Sequence, residues 1–139
     1  MASPRKKERP EHKVSGEEIG EQGPVWLSEH AIEVWAQTIR DLKSSGRPLL
    51  SIHVQTLIGF CSACSDLKEA GEILAREGHL VDGGREGQKR HPAGSMRMQS
   101  LTAVRAYAAE LGLTPTSASR LPPVEVKKED NPFTKLMKK

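Results

Sequence analysis

Between Leu49 and Glu77 the chain carries two overlapping apolar stripes, and this segment constrains the fold more than any other. His53, Leu57, Phe60, Cys64, Leu67, Gly71 and Leu74 recur at alternating intervals of 4 and 3 residues, and Leu50, Val54, Leu57, Cys61 and Cys64 form an adjoining row. Residues three and four apart share a helix face, so adjacent rows make one wide apolar surface, buried on more than one side. Gly59, Ala63, Ala70 and Gly71 keep the helix thin enough for close neighbours. At about 1.5 Å per residue it is a post of roughly 40 Å, and Gly78 is its natural stop.

The flanking segments read as shorter helices around this post. Ser28 is placed as an N-cap, with Leu27 and Ile32 as a staple, and Ile32, Trp35, Ile39 and Leu42 make one stripe before Ser45-Gly46-Arg47-Pro48 ends it. His79-Leu80-Val81 running into Asp82-Gly83-Gly84 predicts a short strand and turn, or a small hairpin. A third helix starts near Pro92, buries Met98, Leu101, Val104, Ala108 and Leu111, and stops at Gly112. Thr114-Pro115 opens a short fourth helix that Pro122-Pro123 must end. The expected class is all-α: a helical hairpin with a long second helix, a β-turn or hairpin loop, a third helix and a short fourth.

Only five of the 139 residues are aromatic (two Trp, two Phe, one Tyr). Such a core is modest, as expected of a protomer that shares burial with copies of itself. Residues 1–24 are rich in Pro, Gly, Lys and Glu with few large apolar side chains, so they are expected to form an unstructured tail, with order starting at Trp26-Leu27. The globular unit then covers 25–121, and 122–139 is a second tail. No apolar run approaches the ~20 residues of a membrane helix, and no signal-type segment follows Met1, which predicts a soluble cytoplasmic protein without a membrane partner.

The net charge of +3 conceals blocks of opposite sign. Residues 17–33 hold five acids and no Lys or Arg. Basic clusters lie at Arg5, Lys6, Lys7 and Arg9, at Arg40, Lys43 and Arg47, and at Arg85, Lys89, Arg90 and Arg97. Such patterning suits a surface that meets an anionic polymer, and these eleven residues are the candidate DNA contacts.

Enzymatic chemistry is hard to find. Cys61 and Cys64 fall mid-helix on the apolar face, where packing rather than redox work is expected. Gly83 to Arg90 fails as a phosphate-cradling loop, because Gln88 separates Gly87 from Lys89 and Arg90 stands where a hydroxyl is needed. His12, His30, His53, His79 and His91 match no ligand template, so no metal and no cofactor is expected. Ala108, Gly112, Leu113 and Thr114, followed by Ala118 and Leu121, fit a helix-turn-helix skeleton. Phe133, Leu136 and Met137 among lysines have the pattern of a short docking peptide.

Pro24, Trp26, Leu27, Trp35, Leu42, Gly78, His91-Pro92 and Leu111-Gly112-Leu113-Thr114-Pro115, with Ser117 and Arg120, together resemble the small subunit of tailed-phage terminases, with Gly-Leu-Thr-Pro as its signature, over about residues 24–121. The chain departs from that pattern at Ala118, where a basic residue is common, and at His53, where an acid often stands. The resemblance implies a non-catalytic packaging subunit in the host cytoplasm. Such a subunit forms a ring, recognises or loads double-stranded viral DNA, and brings it to a large subunit carrying the ATPase and nuclease. Phe133, Leu136 and Met137 are then the candidate large-subunit contacts. The rival reading is a dimeric helix-turn-helix transcription regulator; a thiol redox enzyme using Cys61 and Cys64 is a distant third.

Overall fold

A computed structural model of the chain describes residues 14–127. Helix α1 (Glu29–Ser44) begins where Ser28 Oγ accepts the Ala31 amide at 3.2 Å, with Glu29 in its first turn. That carboxylate suits the positive helix N-terminus. After Pro48 the chain takes a 3-10 turn (Ser51–His53) before α2 (Val54–Glu77). The expected second helix therefore starts later than Leu49, because His53 Nδ1 accepts the Leu50 amide at 3.0 Å and holds the backbone in a turn. Gly78 ends α2 at φ +82°.

A hairpin follows. Strand β1 (Leu80–Asp82) pairs antiparallel with β2 (Gln88–Arg90), in the register Leu80↔Arg90, Val81↔Lys89 and Asp82↔Gln88. Asp82 Oδ1 accepts the Gly84 amide at 2.8 Å, and Gly87 sits at φ +77°, where a side chain would be strained. Helix α3 (Pro92–Leu111) starts under a His91 cap, whose Nδ1 accepts the Ala93 amide at 3.0 Å. Gly112, left-handed at φ +75°, ends it, and Thr114 caps the six-residue α4 (Pro115–Arg120). The predicted all-α class, helix order, caps and hairpin are what the structure contains.

Helix α2 is the post. α3 runs back along it: Glu77 meets His91 at one end, and the Tyr107 ring covers Gly59 towards the other. A Cβ at position 59 would lie 2.6 Å from Tyr107 Cζ, so the thin spot read in the sequence is needed there. Gly71 has open space instead. α1 packs on another flank of α2, and Leu27, Ala31, Trp35, Ile39 and Leu42 close on Leu57, Phe60 and Cys61. Truncating a fully buried side chain such as Leu57 to Ala costs about 2–5 kcal/mol.

Two expectations are corrected. Order does not begin at Trp26: Val14–Gly16 forms a short strand that pairs in parallel with Val124–Val126. The inner ends of both expected tails are thus joined to each other. Residues 16–20 also strap the α1–α2 connection: Ile19 donates to Leu49 O at 2.9 Å, Ser51 donates to Glu17 O at 2.7 Å, and Trp35 Nε1 donates to Gly20 O at 3.0 Å. Three-residue strands carry too little periodicity to read, and their partners lie far away in sequence. Second, Met98, expected on the buried side of α3, is 64% exposed. Trp26 also stands in solvent, 69% exposed.

Candidate nucleic-acid interface

The basic residues divide into two groups with different surroundings. At the C-terminal end of α1, Arg40 pairs with Glu21 at 3.2 Å and Lys43 with Glu18 at 3.1 Å. Arg40 also donates to Gln37 Oε1 at 3.1 Å. Arg47 is half-buried and donates through Nη1 to Ala118 O at 2.5 Å, tying the end of α1 to α4. All three expected DNA contacts in this region are held by intramolecular partners. The acids that hold Arg40 and Lys43 come from the segment expected to be a tail.

The second group sits on the hairpin and the start of α3. Arg85 occupies the 3-10 turn at the hairpin tip, Lys89 and Arg90 lie on β2, and Arg97 lies in the second turn of α3, all exposed. Among the described residues, none has a carboxylate within ion-pairing distance. The nearby Asp82 carboxylate is occupied by the Gly84 amide. His91 N–H donates to His79 O at 2.9 Å and closes the base of the hairpin directly before α3, and Arg90 and Arg97 border one groove of about 520 Å³. Leu74, Leu80 and Met98 give this groove apolar walls.

A histidine holds this region together. With Nδ1 accepting the Ala93 amide, the neutral His91 ring carries its proton on Nε2, which donates to Glu77 Oε2 at 2.5 Å. The His91 bond, with Arg76 nearby, holds the Glu77 carboxyl below the usual carboxylate range. One side chain therefore caps α3 and links it to the last turn of α2.

The surface between α1 and α2 is mostly acidic: Glu29 and Glu33 of α1 and Glu69 and Glu72 of α2 border a shared hollow, with Lys68 among them.

The two thiols of α2 are held in the protonated form. Burial, with Cys64 adjacent, pushes the Cys61 thiol up to about 12, and burial raises Cys64 as well. Thiolate nucleophiles need the opposite shift. Among the described residues no group of three or more His, Cys, Asp or Glu side chains is placed to hold a metal, and no helix is long and apolar enough to cross a membrane. Arg5, Lys6, Lys7, Arg9, Phe133, Leu136 and Met137 lie outside the described residues.

What the sequence reading missed is the strap formed by Glu18 and Glu21 and the groove between Leu74, Leu80 and Met98. The signal for the strap was present: a run of acids beside a basic cluster. The groove had none, since Met98 fits an apolar stripe equally well whether covered or open.

The described residues thus form a small, mostly helical fold with exposed bases along its hairpin edge. A family model described as phage terminase, small subunit, matches residues 31–128, and the chain belongs to that family. No curated protein and no solved structure matches it.

Proposed function

We propose that this chain is the DNA-binding, non-catalytic subunit of a phage packaging machine. It contacts duplex DNA through the hairpin and the start of α3, assembles with copies of itself into a ring, and recruits the large ATPase-nuclease subunit in the host cytoplasm. The observation carrying the DNA contact is the exposed set Arg85, Lys89, Arg90 and Arg97, which has no acidic partner among the described residues, set against the paired Arg40, Lys43 and Arg47. Unpaired cations on a rigid projection track a phosphate backbone, and repetition around an assembly multiplies weak contacts. Arg5, Lys6, Lys7 and Arg9 add a second basic segment to this reading. Phe133, Leu136 and Met137 are proposed to dock the large subunit, on their composition and on the family's division of labour.

Fluorescence anisotropy with an end-labelled duplex over a range of salt tests the DNA contact. Affinity should fall steeply with salt and depend little on sequence, and Arg85→Ala with Lys89→Ala should flatten the salt slope by about two. An unchanged slope would sink the hairpin assignment. The α3–α4 corner keeps the regulator reading as the alternative, because Gly112 and the Thr114 cap build the right turn. Its α4 has only six residues to offer a groove, and tight binding by a dimer to one palindrome would favour it. Deleting 131–139 should abolish co-purification with the large subunit while leaving self-assembly intact.

A further inference from the structure

The most exposed large apolar residues of the described chain are adjacent. Val25 is 95% and Trp26 69% exposed, at the tip of a turn closed by Leu27 N–H donating to Pro24 O at 3.1 Å. The turn is anchored on both sides. Leu27 is buried in the core, and Gly23 lies so close to the Trp35 indole that a Cβ there would be 3.0 Å from Trp35 Cγ. Trp35 is itself fixed by its bond to Gly20 O. A tryptophan held in solvent on a rigid platform has little ordering entropy left to lose on binding, which is how interface hot spots are built.

Its chemical complement lies on the same molecule. The groove of about 520 Å³ between the hairpin and α3 has Leu74, Leu80 and Met98 as apolar walls, two of them more than half exposed. That volume falls within the roughly 300–1,000 Å³ of sites that accept a bulky organic group. Charges match too: Glu29 and Glu33 follow the Trp26 turn on α1, whereas Arg90 and Arg97 border the groove. α2 packs against both α1, which follows the turn, and α3, which borders the groove.

We infer that the Val25–Trp26 turn of one copy of this chain seats in the Leu74–Leu80–Met98 groove of the next, with Glu29 and Glu33 facing Arg90 and Arg97. Two different patches make this contact heterologous, so each copy has one knob and one groove and the assembly grows head to tail until it closes. In the assembly this narrows the four-residue DNA contact proposed above: Arg90 and Arg97 serve the neighbour, and Arg85 and Lys89 at the hairpin remain for DNA. This assignment rests on the reading of the chain as a self-assembling subunit, and the test separates the two.

Sedimentation velocity of the full chain, of Trp26→Ala, of Met98→Glu and of their equimolar mixture decides it. Both side chains are largely exposed, so the variants should melt like the wild type. The wild type should assemble, and each variant alone should sediment as a monomer, its self-association weakened roughly 30-fold or more. The mixture should give a one-to-one pair and nothing larger, because only one intact knob and one intact groove remain. An assembled wild type with Trp26→Ala assembled equally well would overturn the interface and leave self-assembly standing. Monomeric variants whose mixture stays monomeric would also overturn it. A wild type that is monomeric at every concentration would overturn self-assembly and the interface together.

Discussion

The end of α1 and the β1–β2 hairpin bear similar charges and use them differently. Arg40, Lys43 and Arg47 face Glu21, Glu18 and the Ala118 carbonyl, so their charges are spent inside the fold. Arg85, Lys89, Arg90 and Arg97 project from a hairpin and a helix start with no described acid opposite them. The difference comes from what crosses each region. A strap of residues 16–21 runs over the first and brings its acids with it, whereas no described segment brings an acid to the exposed bases of the hairpin. Counting bases along a sequence therefore overstates the free basic surface unless the paired ones are removed.

The comparison breaks most readily at the hairpin. Replacing Arg85 and Lys89 with Glu should weaken duplex binding by about 10- to 100-fold at low salt, measured by anisotropy, while thermal stability stays near wild type. If instead the α1 end held the DNA, Arg40→Gln with Lys43→Gln would produce the larger loss.

Arg47 sharpens the contrast next. Arg47→Met removes a charged donor from the Ala118 carbonyl and should lower stability by about 1.5–3 kcal/mol in urea denaturation. DNA affinity of the folded variant should be unchanged, which marks Arg47 as a clasp rather than a contact. His91→Ala should cost about 1 kcal/mol through loss of the α3 cap, and should loosen the hairpin as well. Hydrogen exchange at Ala93 and along β2 would show it.

Acidification should act in two stages. His53 is lowered mainly by burial, with the Arg47 charge nearby, so the folded state prefers it neutral. The stability this gives is complete above the ordinary histidine range and is lost as pH falls through that range to the lower folded value. Glu77 is lowered by its His91 bond, so its contribution is complete above the ordinary carboxylate range and lost as pH falls through its depressed value. Glu77→Gln should remove the second stage and spare the first in a stability–pH titration. The smallest effect is expected from Arg40→Gln with Lys43→Gln: exposed ion pairs contribute about 0–1 kcal/mol, and DNA binding should barely change.

The helices were legible because their signals are local. Ser28, His91-Pro92, Gly112 and Thr114-Pro115 mark boundaries within one or two turns, and the Trp35–Ile39–Leu42 stripe points one face inward at any tertiary arrangement. The hairpin basic cluster was legible for the same reason: a glycine-rich turn between polar strands has nowhere to go but outward. Which other charges stay free was not legible, because Glu18 and Glu21 reach Lys43 and Arg40 only after the chain has folded back on itself.

By itself the sequence determined a mostly helical fold with a long central helix, its start and stop signals, a basic hairpin, and membership of the terminase small-subunit family readable from a few motifs. The tertiary structure alone decided that residues 14–20 and 124–126 are strapped to the globule, that three expected DNA contacts are already paired, and that Trp26 and Met98 stand in solvent. The reason is physical. Helix periodicity and capping depend on neighbours a few residues away, whereas strand pairing, ion pairing and exposure depend on what a distant segment places opposite.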